Sequence, residues 1–209
     1  MIIKIVITGG PCAGKSSAMQ RIKEEISAYG YKVLFLPEIA TELYNCGITA
    51  CCFETNMDYQ ICQMKLQKEK ETVFDMAARS MKAEKILIVC DRGAFDNKAY
   101  MSDEDFSQLL VMMGKNEKEL RKSYDAVFHL VSVAVDAPEF YTTSNNNARQ
   151  ETLQEAAELD RGVLEAWKGH PYLRVIGNSK DFEGKLDSLI KEIISFLKEQ
   201  ESKASENLL

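Results

Sequence analysis

Near its amino end the chain reads Gly9-Gly10-Pro11-Cys12-Ala13-Gly14-Lys15-Ser16. This stretch follows the β-branched run Ile2-Ile3-Lys4-Ile5-Val6-Ile7 and precedes a segment with apolar residues at helical spacing. Its letters fit G-x-x-x-x-G-K-S, in which a glycine-bounded turn joins a strand to a helix. In that geometry backbone N–H groups point at phosphate oxygens, and the positive end of the helix adds to their field. The stretch therefore predicts a phosphate-binding loop for a nucleoside triphosphate, ATP or GTP.

Individual positions of this loop have distinct expected contacts. Gly9 and Gly14 are expected to adopt backbone angles that a Cβ resists and to let phosphate approach closely. Lys15 is expected to bridge the β- and γ-phosphates, and Ser16 to place its hydroxyl on Mg²⁺. The predicted nucleotide-binding set is Gly9, Gly10, Pro11, Cys12, Ala13, Gly14, Lys15, Ser16 and Ser17.

Composition narrows the class of protein. The 209 residues carry a net charge of −6, which argues against a broad nucleic-acid or anionic-membrane surface. We expect one domain over residues 1–200 and a frayed tail over 201–209. No apolar run approaches a membrane span and no signal peptide is recognised, so a cytoplasmic location with reduced cysteines is expected. The spacing of the six cysteines does not favour a zinc site.

Apolar runs alternate with helical patterns along the chain, which predicts an α/β fold with a parallel sheet. The strands after the first are expected at Tyr31–Leu36, Ile86–Cys90, Ala126–Ala134 and Leu173–Ile176. Residues just beyond the carboxyl ends of parallel strands face the ligand. Glu38 follows the second strand, where it is either a site carboxylate or a solvated loop residue. Asp91 and Arg92 end the third strand, where they would support Mg²⁺ and bind an anion, or else pair with each other.

Four further features bear on the site. In the long helical pattern 56–82, Gln63 or Gln67 could face a substrate pocket, although exposed positions are the alternative. His129 lies within the fourth strand and is expected to be a core histidine rather than a base. The polar loop 142–147, Arg149 and a helix over 151–167 bearing Arg161 form a predicted closing lid. The turn at Asn178 could hold the purine, and a last helix is expected over 181–199.

Together, the loop 9–16, Pro37-Glu38, Asp91-Arg92-Gly93 and Arg149 resemble the nucleoside and nucleotide kinase branch of P-loop proteins. More closely, the pattern resembles a small AAA-type domain family of predicted ATPases and kinases, related to the nicotinamide-riboside kinases. The resemblance implies a three-layer α/β/α fold whose five-stranded parallel sheet has the order 2-3-1-4-5. It also implies that Glu38 is the general base and that Asp91 and Arg92 are the acid–arginine pair of the third strand.

Two functions remain open at this point. The first is transfer of the γ-phosphoryl group of ATP or GTP to a small nucleoside- or nucleotide-like acceptor, with Lys15, Arg92, Arg149 and Arg161 clamping the transferred group. The second is a nucleotide-dependent switch or slow ATPase that recruits a protein or lipid. No residue set fixes the acceptor, the choice of ATP or GTP, or the oligomeric state.

Overall fold

A computed structural model describes residues 1–136, 152–179 and 181–206 of the chain. Its centre is a five-stranded parallel sheet in the order β2-β3-β1-β4-β5. The order that the resemblance implied is therefore confirmed, as is the α/β class. The strands are β1 (Ile2–Thr8), β2 (Lys32–Leu36), β3 (Ile86–Asp91), β4 (Ala126–Leu130) and β5 (Leu173–Ile176).

The central position of β1 follows from its composition. It pairs with β3 on one side and β4 on the other, so that Ile5 lies opposite Val89 and Ala126. Both faces of such a strand are covered by helices, which explains the continuous apolar run. The first strand thus delivers the phosphate-binding loop to the middle of the carboxyl edge of the sheet.

Helices cover both faces of the sheet. Helices α1 and α8 share one apolar core with β1, while α3, α4 and α7 pack with β3 in the other. The helices are α1 (Lys15–Ala28), α2 (Ile39–Asn45), α3 (Asn56–Ser80), α4 (Asp103–Met112), α5 (Glu117–Lys122), α6 (Val133–Asp136), α7 (Leu153–Trp167) and α8 (Phe182–Glu206). Short 3-10 segments occur at Ala50–Cys52 and Ala94–Tyr100.

The expected end of the fourth strand was wrong. Strand β4 ends at Leu130 instead of continuing to Ala134, and residues 133–136 form the short helix α6. Ser132 causes the change of direction, because its backbone N–H donates to Asp160 and its hydroxyl accepts the N–H of Ala134. A side-chain hydroxyl that accepts a nearby backbone N–H offers that N–H an alternative to the hydrogen bonds between strands, so the strand ends there.

The expected frayed tail was wrong over residues 201–206, because α8 continues to Glu206. The Glu201 carboxylate accepts hydrogen bonds from the Tyr31 hydroxyl and from Lys85 Nζ, both at 2.8 Å. These contacts tie the last turns of α8 to the amino edge of β2 and β3. The predicted lid loop 142–147 and Arg149 lie outside the described residues.

Within residues 1–136, 152–179 and 181–206, no helix combines the length and the apolar character needed to cross a membrane.

Leu189 offers a test of the α1–α8 layer, because its side chain is completely buried in the first core. Leu189→Ala should lower the free energy of unfolding by about 2–5 kcal/mol through lost transfer energy and a residual cavity. Urea denaturation measures this. The control Val111→Ala removes a side chain that is 78 % exposed, so it should change stability by less than about 0.5 kcal/mol. Similar values for the two variants would contradict the packing.

Candidate functional site

The loop between β1 and α1 has the backbone conformation that its sequence predicts. Gly9 and Gly14 have φ angles of 137° and 89°, and Cys12 is left-handed with φ 57°. A Cβ on Gly9 would lie 2.2 Å from the carbonyl oxygen of Leu130, so only glycine fits there. Ser16 and Ser17 lie exposed in the first turn of α1. The loop and the helix start therefore present backbone N–H groups and hydroxyls together at the sheet edge.

Lys15 lies folded back over the loop. Its Nζ donates to the carbonyl oxygens of Gly9 and Gly10 at 2.9 and 3.0 Å. Burial and the neighbouring charge of Arg92 lower the pKa of Lys15 to about 8. An anion bound in the loop would offer this ammonium a stronger acceptor than neutral carbonyls do.

Asp91, at the end of β3, has the least satisfied carboxylate of this edge. Its Oδ1 is buried and has no hydrogen-bond partner among the described residues. Burial raises the pKa of Asp91 to about 6, even though the charges of Lys15 and Arg92 oppose the rise. A buried carboxylate oxygen without a partner, near the P-loop lysine Lys15, suits a hard cation such as Mg²⁺. The donor set of Asp91 and Ser16 therefore fits the implied metal.

Arg92 joins the ends of three strands. Its Nε donates to Glu38 beyond β2, and its Nη1 donates to Asp96 at 3.1 Å and to the Gly9 carbonyl at 3.3 Å. Arg92 also has a left-handed φ of 69°, which is rare outside glycine. The alternative in which Asp91 and Arg92 pair with each other is not what the structure contains, because Arg92 pairs with Glu38 and Asp96.

Glu38 lies in the site rather than in a solvated loop. Its second oxygen accepts the Thr41 hydroxyl at 2.6 Å, and its side chain is only 23 % exposed. Burial alone raises the pKa of Glu38, but the charges of Arg92 and Lys15 outweigh it and lower the pKa to about 2. The carboxylate is consequently ionised throughout the neutral range.

Other predicted site residues lie apart from this cluster. The amide of Asn178 is bonded at both ends, to the Ser132 carbonyl and to Lys185. Arg161 is exposed on α7, beside the buried Asp160. The expected exposure of Gln67 was wrong, because Gln67 is buried and donates to Glu71. Gln63 is half-buried on the same helix.

His129 is fully buried in β4, as expected for a core histidine, with Nε2 3.3 Å from Asp160 Oδ2.

Sequence reasoning missed three residues around the loop. Asp96 is buried and accepts hydrogen bonds from the Thr8 hydroxyl, the Gly93 N–H and the Trp167 indole, besides Arg92. Asp160 accepts the Gly10 N–H at 2.7 Å. The ring of Phe182 lies so close to Gly14 that a Cβ there would sit 2.5 Å from it. Asp96 carried a local signal, because it follows Arg92 by four residues, and Asp160 carried another, because it lies on the apolar stripe of α7.

The comparisons with known proteins agree with this geometry. A family model described as "AAA domain" matches residues 4–185, which include the loop, the strand ends and α7. No curated protein matches the chain.

Asp91→Asn tests the strain on the unpartnered carboxylate. The folded pKa of about 6 lies above the reference value of 3.8, so the stability cost of ionising Asp91 grows from about pH 3.8 and is complete above about pH 6. The variant should therefore gain about 3 kcal/mol of stability at pH 7.5, and the gain should shrink as the pH falls toward 4.

Urea denaturation without nucleotide or metal measures that gain. Asp103→Asn is the control, because its side chain is 88 % exposed and its replacement should change stability by less than about 0.5 kcal/mol. A loss of stability in Asp91→Asn at pH 7.5 would show that the carboxylate is satisfied in the fold.

Proposed function

The chain belongs to the AAA-domain family that this model describes, and from that premise we propose that it is a kinase-like phosphotransferase. It would bind ATP or GTP with Mg²⁺ and transfer the γ-phosphoryl group to a small nucleoside- or nucleotide-like acceptor. One observation carries the proposal: the unpartnered Oδ1 of Asp91 lies in a cluster with Lys15, Glu38 and Arg92 at the P-loop. We also propose a cytoplasmic location, where cysteine thiols stay reduced.

On the nucleotide side, the loop N–H groups and Lys15 would bind the phosphates. Ser16 and Asp91 would hold Mg²⁺, which would neutralise charge on the phosphoryl oxygens. Lys15 would leave the Gly9 and Gly10 carbonyls for the phosphates, a change that returns its lowered pKa toward the ordinary value.

On the acceptor side, Glu38 would accept a hydrogen bond from the acceptor hydroxyl and take its proton. A carboxylate with a pKa of about 2 is a weak base, so its main contribution would be orientation of the hydroxyl. Loose transition states of phosphoryl transfer depend mainly on positioning and charge, which suits such a group.

The hydrogen-bond partners of Arg92 indicate whether the acceptor group would be charged or neutral. Its guanidinium is already held by Glu38 and Asp96, and by the Gly9 carbonyl. An anionic acceptor would have to displace these partners, so the cluster favours an uncharged hydroxyl over a phosphate as the acceptor group. Arg149 and Arg161 keep their sequence-based assignment as additional cations for the transferred group.

A specific network favours the second candidate function, the nucleotide-dependent switch. The Ala94 N–H, just after Arg92 and Gly93, donates to the Tyr124 hydroxyl, which in turn donates to Glu71 of α3 at 2.7 Å. The outer face of α3 exposes Val73 and Met76 by 59 % and 64 %. Movement at the nucleotide site could thus be transmitted to an apolar surface suited to a protein or lipid.

The two functions are separated by a panel of nucleosides, ribosides and nucleotides offered with MgATP or MgGTP. A kinase should consume the triphosphate faster with one of these acceptors and yield its phosphorylated product in equal amount. The switch would be favoured if no acceptor accelerated consumption of the triphosphate and if a partner bound the protein differently with ATP and with ADP.

Lys15→Ala should abolish turnover and strongly weaken nucleotide binding. The wild-type melting temperature should rise with MgATP or MgGTP, because a ligand that binds only the native state stabilises it. Loss of the ammonium should lower affinity about a hundredfold, as expected for lost charge-assisted hydrogen bonds to phosphate. Lys23→Ala, which removes an exposed lysine of α1, is the control and should bind normally. Equal nucleotide-induced shifts in both variants would refute the phosphate site.

Glu38→Gln should lower kcat at least about tenfold and leave the affinity for nucleotide nearly unchanged, because the carboxylate would act on the acceptor. Steady-state rates with the acceptor found in the panel measure this. The matched control is Glu42→Gln in α2, which begins just after Glu38; the Glu42 carboxylate makes a partly exposed ion pair with Lys70. An unchanged kcat in Glu38→Gln would remove Glu38 from the mechanism.

A further inference from the structure

The outer side of the P-loop is bonded to three buried polar side chains. The Gly10 N–H donates to Asp160 Oδ1 at 2.7 Å, and the hydroxyl of Ser132 donates to the Pro11 carbonyl. Lys185 Nζ donates to the Ala13 carbonyl at 2.9 Å. All three residues expose at most 3 % of their surface, so these hydrogen bonds are shielded from water.

The direction of these contacts matters for anion binding. A loop can surround an anion only when its N–H groups point inward and its carbonyls point away. Ser132 and Lys185 hold two carbonyls on the outer side, and Asp160 takes one N–H group outward. The nucleotide would use the other N–H groups of the loop.

Asp160 is the centre of this arrangement. The same Oδ1 accepts the backbone N–H of Ser132 at 3.1 Å, and Oδ2 lies 3.3 Å from His129 Nε2. One carboxylate thus joins α7 to the loop and to the end of β4. The contact also explains Gly10, because a Cβ at that position would lie only 2.7 Å from the Cβ of Asp160.

A contact between Asp160 and the nucleotide itself is electrostatically disfavoured. A buried carboxylate repels a polyphosphate, so it would weaken binding if it faced the ligand. Its hydrogen bonds to two backbone N–H groups give it a different role, since they fix the chain on either side of the site.

We propose that Asp160 and Ser132 are positioning residues for the nucleotide, which hold the P-loop in its phosphate-binding form before the nucleotide arrives. The inference rests on the proposed nucleotide site and deepens it. A loop that is ordered in advance loses less conformational freedom on binding, so more of the contact energy appears as affinity.

Asp160→Ala and Ser132→Ala remove the acceptor for Gly10 and the donor for Pro11. We expect Asp160→Ala to raise the Kd for MgATP or MgGTP about tenfold or more, and Ser132→Ala several-fold. Asp160→Asn should stay within about threefold of wild type, because its amide oxygen can still accept both N–H groups and its NH₂ can donate to a neutral His129. Isothermal titration at 10 °C gives the Kd, and circular dichroism checks that each variant is folded.

The control is Glu201→Ala, which removes a carboxylate that accepts hydrogen bonds from Tyr31 and Lys85 at the amino edge of the sheet, opposite the loop. It should lower the melting temperature and leave the Kd within about twofold. A raised Kd in Asp160→Ala and Ser132→Ala, with Asp160→Asn and Glu201→Ala close to wild type, supports the proposal. If Asp160→Ala does not fold, the proposal is tested by Ser132→Ala, which should raise the Kd several-fold, and by Asp160→Asn, which should keep it within about threefold of wild type.

Wild-type affinity in Asp160→Ala and Ser132→Ala would overturn the inference and leave the nucleotide site standing. The inference would also fall if Glu201→Ala weakened binding as much as Asp160→Ala and Ser132→Ala do, because affinity would then follow general stability. A wild-type chain that binds neither nucleotide would instead refute the proposed function, and this inference with it.

Discussion

The turn from β1 into α1 sets the main electrostatic constraint on the structure. It gathers backbone N–H groups that no helix or strand can satisfy, at the positive end of α1. The cluster beside it combines the cations Lys15 and Arg92 with the carboxylates of Glu38, Asp91 and Asp96. With three anions against two cations, a polyphosphate would add further negative charge. A divalent cation would balance this charge, which is the physical reason why the proposed triphosphate site would need Mg²⁺.

The position of Arg92 depends on contacts from widely separated parts of the chain. Its left-handed backbone is unfavourable for a side chain with a Cβ, so the surrounding contacts must maintain it. Asp96 is the chief of these, since it holds Arg92 while it accepts hydrogen bonds from Thr8 and Trp167. The end of β1, the turn after β3 and the last residue of α7 are thereby fixed relative to one another.

Much of this arrangement could be predicted from local pattern. The loop 9–16 and the strand-end residues Glu38 and Asp91 carry signals within a few positions, because glycine spacing and apolar runs are local properties. Asp160 contacts Gly10 across 150 positions, and no local pattern reports such a pair. Its spacing from Ala156 and Val163 does place it on the buried face of α7, so a carboxylate on an apolar stripe was the available signal.

For Gln67 the local pattern was misleading, and the buried hydrogen bonds that it joins are relevant to function. A polar side chain on a helix is expected to be exposed or to face a pocket, yet Gln67 supports Glu71, which binds the Tyr124 hydroxyl. Tyr124 in turn accepts the Ala94 N–H beyond Arg92. A kinase needs this chain of contacts to hold Arg92 still during transfer, while a switch needs it to carry a change of nucleotide to α3. These contacts are compatible with either function. The two functions therefore differ in whether the hydroxyl of an acceptor would reach Glu38.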